Sequence, residues 1–223
     1  MVAPLLTRPA PPTAEAETRR RLIEAATAVF DEVGFRNATV REICQRADAN
    51  IAAIHYHFGD KESLYAEVLR HSLREAVEKY PPGMGLGPDA TAEERLHAFV
   101  LTLLLRIFDT GPHASRSRLM LREMIDPTQA LDEIVEREIR PMSDLLFTII
   151  REILGPKATP TVVRRAGLSV VSQAIFYHHC RPLLSRLFPD LTHSHAQIEA
   201  LARHITDFSL AALKHLPAPK SRH

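Results

Sequence analysis

The 223-residue chain is short of several features, and each shortage removes a class of protein. It has two cysteines, Cys44 and Cys180, far apart in sequence, which is too few for a disulfide scaffold or a cysteine-rich zinc module. It lacks tryptophan. No run approaches the ~18 consecutive apolar residues that a membrane span needs. The start, Met1-Val-Ala-Pro-Leu-Leu-Thr-Arg-Pro9, has no charged segment followed by a long apolar core, so it does not read as a signal peptide. Charge of one sign is missing too: 28 Lys and Arg against 27 Asp and Glu leave +1, which excludes a polybasic arm protein and an acidic disordered one. There is no Gly-x-Ser-x-Gly, no His-Glu-x-x-His and no phosphate loop; Gly83-Met-Gly-Leu-Gly87 lies between helices and reads as linker. These absences predict a cytoplasmic, membrane-free protein that is not an enzyme and carries no metal or cofactor.

With 45% hydrophobic and 25% charged residues, most of the chain is expected to fold. Proline punctuates it. Four of 16 prolines fall in the first twelve residues and none recurs until Pro81. A helix-interior proline costs ~3 kcal/mol, so Thr13 to Tyr80 is open to closely spaced helices. The expected organisation is a disordered arm at 1–14, a helical unit at 15–80, a linker at 81–88, a second helical unit at 89–216 and a frayed tail at 217–223. Apolar residues recur at helical spacing in both units: Leu22, Ala26, Val29 and Val33, then Val40, Ile43, Cys44 and Ala47, then Ile51, Ile54 and Phe58, then Leu64, Val68 and Leu69. Gly34 and Gly59 end helices; Asn50, Asp60, Thr91 and Thr159 cap them; Thr39-Val-Arg-Glu42 reads as a capping box. Gly111-Pro112, Asp126-Pro127 and Gly155-Pro156 stop helices, Pro141 interrupts one, Thr159-Pro160 starts a helix to about Arg181, Pro182 and Pro189 frame a connector, and a last helix covers about 193–216. No segment alternates as a strand does. The expected fold class is all-α.

A short helix, a tight turn and a second short helix within 39–58 have the spacing of a helix-turn-helix, whose second helix enters the DNA major groove. That helix would present Ala52, Ala53, His55, Tyr56 and His57: small residues for close approach, and hydroxyl and imidazole groups for phosphates or base edges. Thr39 and Lys61 stand at helix starts, where backbone amides favour a phosphate. Bulk charge does not help, since residues 8–70 hold nine Lys and Arg but ten Asp and Glu. Affinity must come from arginines gathered on one side, for which Arg19, Arg20, Arg36 and Arg41 are the candidates. The candidate DNA-binding set is Arg36, Thr39, Arg41, Asn50, Ala52, Ala53, His55, Tyr56, His57 and Lys61.

The run Arg21-Leu-Ile-Glu-Ala-Ala26, Phe30-Asp-Glu-Val-Gly-Phe35, Ala38-Thr-Val-Arg-Glu-Ile-Cys44, Ala47 and Asn50-Ile-Ala-Ala-Ile-His-Tyr-His-Phe-Gly-Asp-Lys-Glu-Ser-Leu-Tyr65 resembles the DNA-binding domain of TetR-type transcriptional regulators. The resemblance implies a homodimer, a three-helix DNA-binding unit, a connecting fourth helix and a C-terminal domain that binds a small effector. It puts Thr39 and Lys61 at phosphate-contacting positions and Ala52, Ala53, His55, Tyr56 and His57 on the reading face. Asp48 stands where the family usually has a turn glycine, and His55 where tyrosine is common. Leu119-Met-Leu-Arg-Glu123, Asp126-Pro-Thr128, Ile139-Arg-Pro141 and Gln173 to Arg181 with Phe188-Pro189 resemble the C-terminal domain of the CecR-like branch.

The expected function is a repressor that leaves a palindromic operator when a small molecule binds. Two reading helices would then lie about one DNA turn apart, ~34–36 Å, or a multiple of that. The partners expected are duplex DNA, a small-molecule effector and a second copy, joined through the last two helices by Val163, Leu168, Val171, Ile175, Ile198, Leu201, Ile205, Phe208 and Leu213. The effector is expected in the core of 92–180, among Phe99, Leu103, Phe108, Met120, Phe147 and Phe176, with Arg122, Glu123 and His178 as polar anchors; ordinary core packing is the plainer reading for each apolar one. His178-His179-Cys180 with His113, His193 and His195 invites a metal reading, but neighbouring helical residues point ~100° apart and no ligand spacing supports it. The competing function is a helical dimeric module that binds a small molecule or a protein and has no DNA role.

Overall fold

The computed structural model describes residues 13–109, 114–191 and 193–216, with 114–117 as backbone only. Residues 1–12 of the expected arm, the Gly111-Pro112 stop, His113 and the tail 217–223 lie outside the described residues. Thr13 is not part of an arm: its hydroxyl accepts from Ala16 N and caps α1, Ala14–Asn37. Among the described residues there are helices and turns and no strand. The chain divides into two compact units, and the division falls at Val68/Leu69, inside α4, with 81–88 within the second unit.

In the first unit α1 is followed by α2 (Val40–Arg46), α3 (Ile51–His57) and the first half of α4 (Lys61–Lys79). Leu22, Ala26, Val29 and Phe30 of α1 are fully buried, while Val33 of the expected stripe is 39% exposed. Phe30, four residues after Ala26, takes its place on the buried face, and α1 then kinks at Gly34, whose φ of 78° only glycine adopts without strain. Past the kink Phe35 turns back onto Tyr65, with ring centroids 4.8 Å apart, and Phe30 meets the same tyrosine edge-on at 4.9 Å. Thr39 accepts from Glu42 N at 3.2 Å, but the Glu42 carboxylate goes to Arg46 at 2.9 Å instead of back to the cap. The full reciprocal box belongs to Thr91 and Glu94. Arg46 also grips Glu32 through both terminal nitrogens at 2.7 Å, tying α2 to α1.

In the second unit α5 (Ala92–Ile107) packs against α8 (Arg140–Leu154), α9 (Pro160–His179) and α11 (His195–His215). The core they share includes Leu96, Phe99, Leu104, Leu146, Ile150, Val163, Val170, Ile198 and Ile205. This corrects the expected dimer face, since Val163, Ile198, Ile205 and Leu213 are buried within their own chain. The proline-framed connector contains a helix of its own, α10 (Arg181–Leu187), with Pro182 in its first turn, where a missing N–H costs nothing. α6 (Ala114–Ile125) and α7 (Ala130–Ile134) precede a π-turn at Val135–Ile139. There Arg140 N bonds back five residues to Val135 O, and the widened turn leads into Pro141 without a break in the helix.

Candidate DNA interface and ligand cavity

Three local devices fix the attitude of α3. Asp48 sits at φ 48°, the left-handed turn that the resemblance places there, in a residue type that tolerates it. Asn50 Oδ1 accepts from Ala53 N at 2.9 Å and caps the helix. Ile54 is wholly buried and sets the rotation of the helix about its axis. Ala52, His55 and Tyr56 are therefore exposed, with Tyr56 at 73%, while Ala53 and His57 are half-buried. Ile51 is 48% exposed, where its spacing predicts it inward, because it starts the helix about 60° round from the buried Ile54.

The polar groups around α3 are already aimed. His55 Nδ1 is 2.7 Å from the Gly59 carbonyl, which can only accept, so Nδ1–H donates there and Nε2 is the ring nitrogen this bond does not use. The Tyr56 hydroxyl donates to Glu15 at 3.2 Å. Lys61, half-buried at the start of α4, donates to the carbonyls of Phe35 at 3.0 Å and Ala38 at 3.1 Å and lies over the Phe35 ring. Its ammonium thus fastens the α1–α2 junction, and what it directs outward is the helix start. Arg36, Thr39, Arg41 and Asn50 are exposed. Arg19 and Arg20 are spoken for: Arg19 pairs with Glu67 at 2.6 Å, and Arg20 bridges Glu17 and Glu24, which together raise its pKa. Cys44 donates its thiol to Asn50 O at 3.4 Å, and burial pushes its pKa up, so it stays a thiol.

The second unit contains a cavity of about 410 Å³ lined by α4 from Leu69 onward, α5, α6, α8 and α9. Of the expected pocket, Phe99, Leu103, Met120, Phe147 and His178 line it. Four others do not. Phe108 is buried beside it, stacked on His193 at 4.4 Å. Phe176 is 52% exposed on α9. Arg122 is exposed on α6, and Glu123 turns inward to accept from Thr128 N at 2.7 Å and Thr128 Oγ1 at 2.9 Å, closing the α6–α7 turn. The charged lining comes from residues the sequence reading missed. Arg106 donates Nε–H to Thr102 O at 2.9 Å and Nη2–H to Thr102 Oγ1 at 3.1 Å, and burial lowers its pKa to about 10. Lys79 holds Asp109 at 2.7 Å, and Glu138 of the π-turn holds Arg74 at 3.0 Å. The contribution of α4 is legible as Leu69, Leu73 and Ala76 at helical spacing.

His178 meets the Phe108 ring edge-on at 5.4 Å. Burial lowers the pKa of His178 and of His193, and the nearby Arg181 charge lowers both further. Among the described residues no group of three or more His, Cys, Asp or Glu side chains gathers as a metal would need. Among them, too, no helix is long and apolar enough to cross a membrane.

Residues 22–68 match the family described as bacterial regulatory proteins, tetR family, and residues 92–213 match the C-terminal domain of the HTH-type transcriptional dual regulator CecR. The chain is 31% identical to the dual regulator CecR of Shigella flexneri over 65% of its own length and 68% of that protein's. It is 27% identical to the transcriptional repressor NicS of Pseudomonas putida, over 88% and 92% of the two chains. The fold is similar to that of the TetR family regulator PfmR from Thermus thermophilus, with a TM-score of 0.60 at 22% identity, covering 86% of this chain and 97% of that one. A regulator from Rhodococcus sp. Rha1 superposes with a TM-score of 0.62 at 18% identity, over 89% and 99%.

Proposed function

Because the chain belongs to the TetR family of bacterial regulatory proteins and is a DNA-binding transcriptional regulator, we propose that it is a repressor released from a palindromic operator by a small molecule. The observation that carries this reading is the exposed face of α3, Ala52, His55 and Tyr56, fixed by a buried isoleucine and a side-chain cap beside exposed Arg36, Arg41 and Thr39. Residues 15–80 act as the DNA-binding unit and 89–216 as the effector and dimer unit, with α4 common to both. The second copy docks on the outer face of α9 and α11, where Phe176 and Phe208 are exposed. The effector is a mostly apolar small molecule in the cavity of the second unit, a site built of Leu103, Met120, Met142, Phe147 and Leu168 with Arg106 in its wall. It acts through its different affinity for the DNA-bound and released shapes, a coupling typically of about 1–3 kcal/mol. The work is done in the cytoplasm, where the operator is, and involves no catalysis.

The test is fluorescence anisotropy on genomic fragments captured by the purified protein, across a salt series. Specific binding that vanishes in Tyr56→Ala with His55→Ala, and a screened compound that releases the DNA from the wild type but not from Leu103→Trp, support the reading. A protein that binds all duplexes alike, or none, overturns it.

A further inference from the structure

We propose that α3 reads thymine methyl groups through Ile51 and Ala52, so that each operator half-site carries thymines where these two side chains meet the major groove. The inference rests on the DNA-binding reading and goes beyond it by naming the base.

The argument starts from what α3 can offer. Residues 51–57 include no Arg, Lys, Asn, Gln, Asp or Glu. The bidentate pairs that read guanine need Arg or Lys, and those that read adenine need Asn or Gln with both amide atoms available. Asn50, just ahead of the helix, has its Oδ1 committed to Ala53 N at 2.9 Å. His55 has one ring nitrogen committed to Gly59 O at 2.7 Å. The face presented is instead apolar at its leading end: Ile51 at 48% exposure, then Ala52. The leading residues of a reading helix are the ones that meet base edges. Of the groups that base pairs display in that groove, the thymine C5-methyl is the apolar one. An isoleucine held half out of solvent at this point gains by burying itself against methyl groups and has no hydrogen bond to give any other edge. Ala52 beside it keeps the backbone close enough for contact.

Deoxyuridine in place of thymidine removes that methyl and keeps each donor and acceptor of the base pair. The experiment selects tightly bound duplexes from a random pool with the full-length protein, then replaces thymidine by deoxyuridine one position at a time, symmetrically in both half-sites. A buried methyl is worth about fourfold in affinity, and a symmetric dimer loses two, so about fifteenfold is expected at one or two half-site positions. At the position met by Ile51, Ile51→Ala should bring the thymine-to-uracil ratio close to one, while Ile51→Val keeps part of it. Thermal melts show that each variant is folded before its ratio is read. Uracil tolerated within twofold at all positions overturns the proposal. So does an unchanged ratio in Ile51→Ala and Ala52→Gly, which would mark duplex stiffness and not contact. If no duplex is enriched at any salt, the DNA-binding reading itself fails, a result distinct from either of these.

Discussion

Gly167 lies where α9 crosses the Phe147 ring of α8, and a methyl group there would meet Phe147 Cε1 at 2.6 Å and Cδ1 at 2.8 Å. Ordinary carbon contacts are ~3.5–4.0 Å, so Gly167→Ala forces the Phe147 ring, which lines the cavity, back by about 1 Å. Two effects oppose each other. Alanine gains about 1 kcal/mol over glycine in a helix interior, while overpacking costs about 1–3 kcal/mol. Gly167→Ala should therefore lie between neutral and about 2 kcal/mol destabilising. In a Phe147→Ala background the clash is gone and the same substitution should stabilise by about 1 kcal/mol. The cycle is measured by urea unfolding of the four proteins at one protein concentration, since the stability of a dimer depends on it. The substitution is expected to go from neutral or destabilising in the wild type to stabilising in the Phe147→Ala background. Stabilisation of equal size in both would show that the ring and the glycine do not touch, and the account of the cavity wall would fall with it.

Replacing Lys61 by methionine removes two charge-assisted bonds to the Phe35 and Ala38 carbonyls and should cost about 2–4 kcal/mol in the first unit, read by thermal melting; a loss of DNA affinity with no loss of stability would instead give the ammonium to phosphate. Glu15→Gln removes the acid beside Tyr56 and should raise operator affinity about fivefold at low salt, read by anisotropy; weaker binding would mean that Glu15 positions the tyrosine. Asp48→Gly relieves a left-handed residue and should stabilise by about 0.5–1 kcal/mol, seen as a rise in the urea midpoint. His178 and His193 are held below the ordinary histidine value of 6.5, so the unfolded chain binds more protons and stability rises with pH through this window. Unfolding at pH 7.5 and 5.5 should show a fall in stability on the acid side that shrinks in His178→Phe with His193→Phe, and an unchanged fall would place its origin elsewhere.

The DNA-binding unit was the more legible in sequence because its signals are local. A cap needs one residue and an amide three positions on, so Thr39, Asn50 and the Gly59 end are read directly, whereas Gly34, expected as a helix end, is a kink inside α1. What sequence periodicity misjudged was depth: Val33 and Ile51 have the spacing of buried residues, but a kink at Gly34 and a helix start leave them without cover. The cavity was half legible. Phe99, Leu103, Met120, Phe147 and His178 are in its wall, but aromatic character cannot tell the inner face of α9 from the outer one, which carries Phe176. Arg122 and Glu123 are adjacent in sequence, yet neighbours on a helix point apart, and the cations in the wall are Arg106, hidden in a run of leucines, and Lys79 at the end of α4. Arg106 leans on Thr102 one turn back, but the partners of Lys79 and Glu138, Asp109 and Arg74, come from distant parts of the chain, and no local pattern announces them.

The wide turn at Val135–Ile139 holds one residue more than an ordinary helical turn would need. Deleting a residue there would restore the regular ladder and rotate α7 by roughly 100° against α8. Glu133 and Glu138 would then no longer share the phase that sets them on Arg70 at 2.6 Å and Arg74 at 3.0 Å. The phase of α7 against α8, next to the stretch of wall that Glu138 and Ile139 supply, is thus registered by a count of residues.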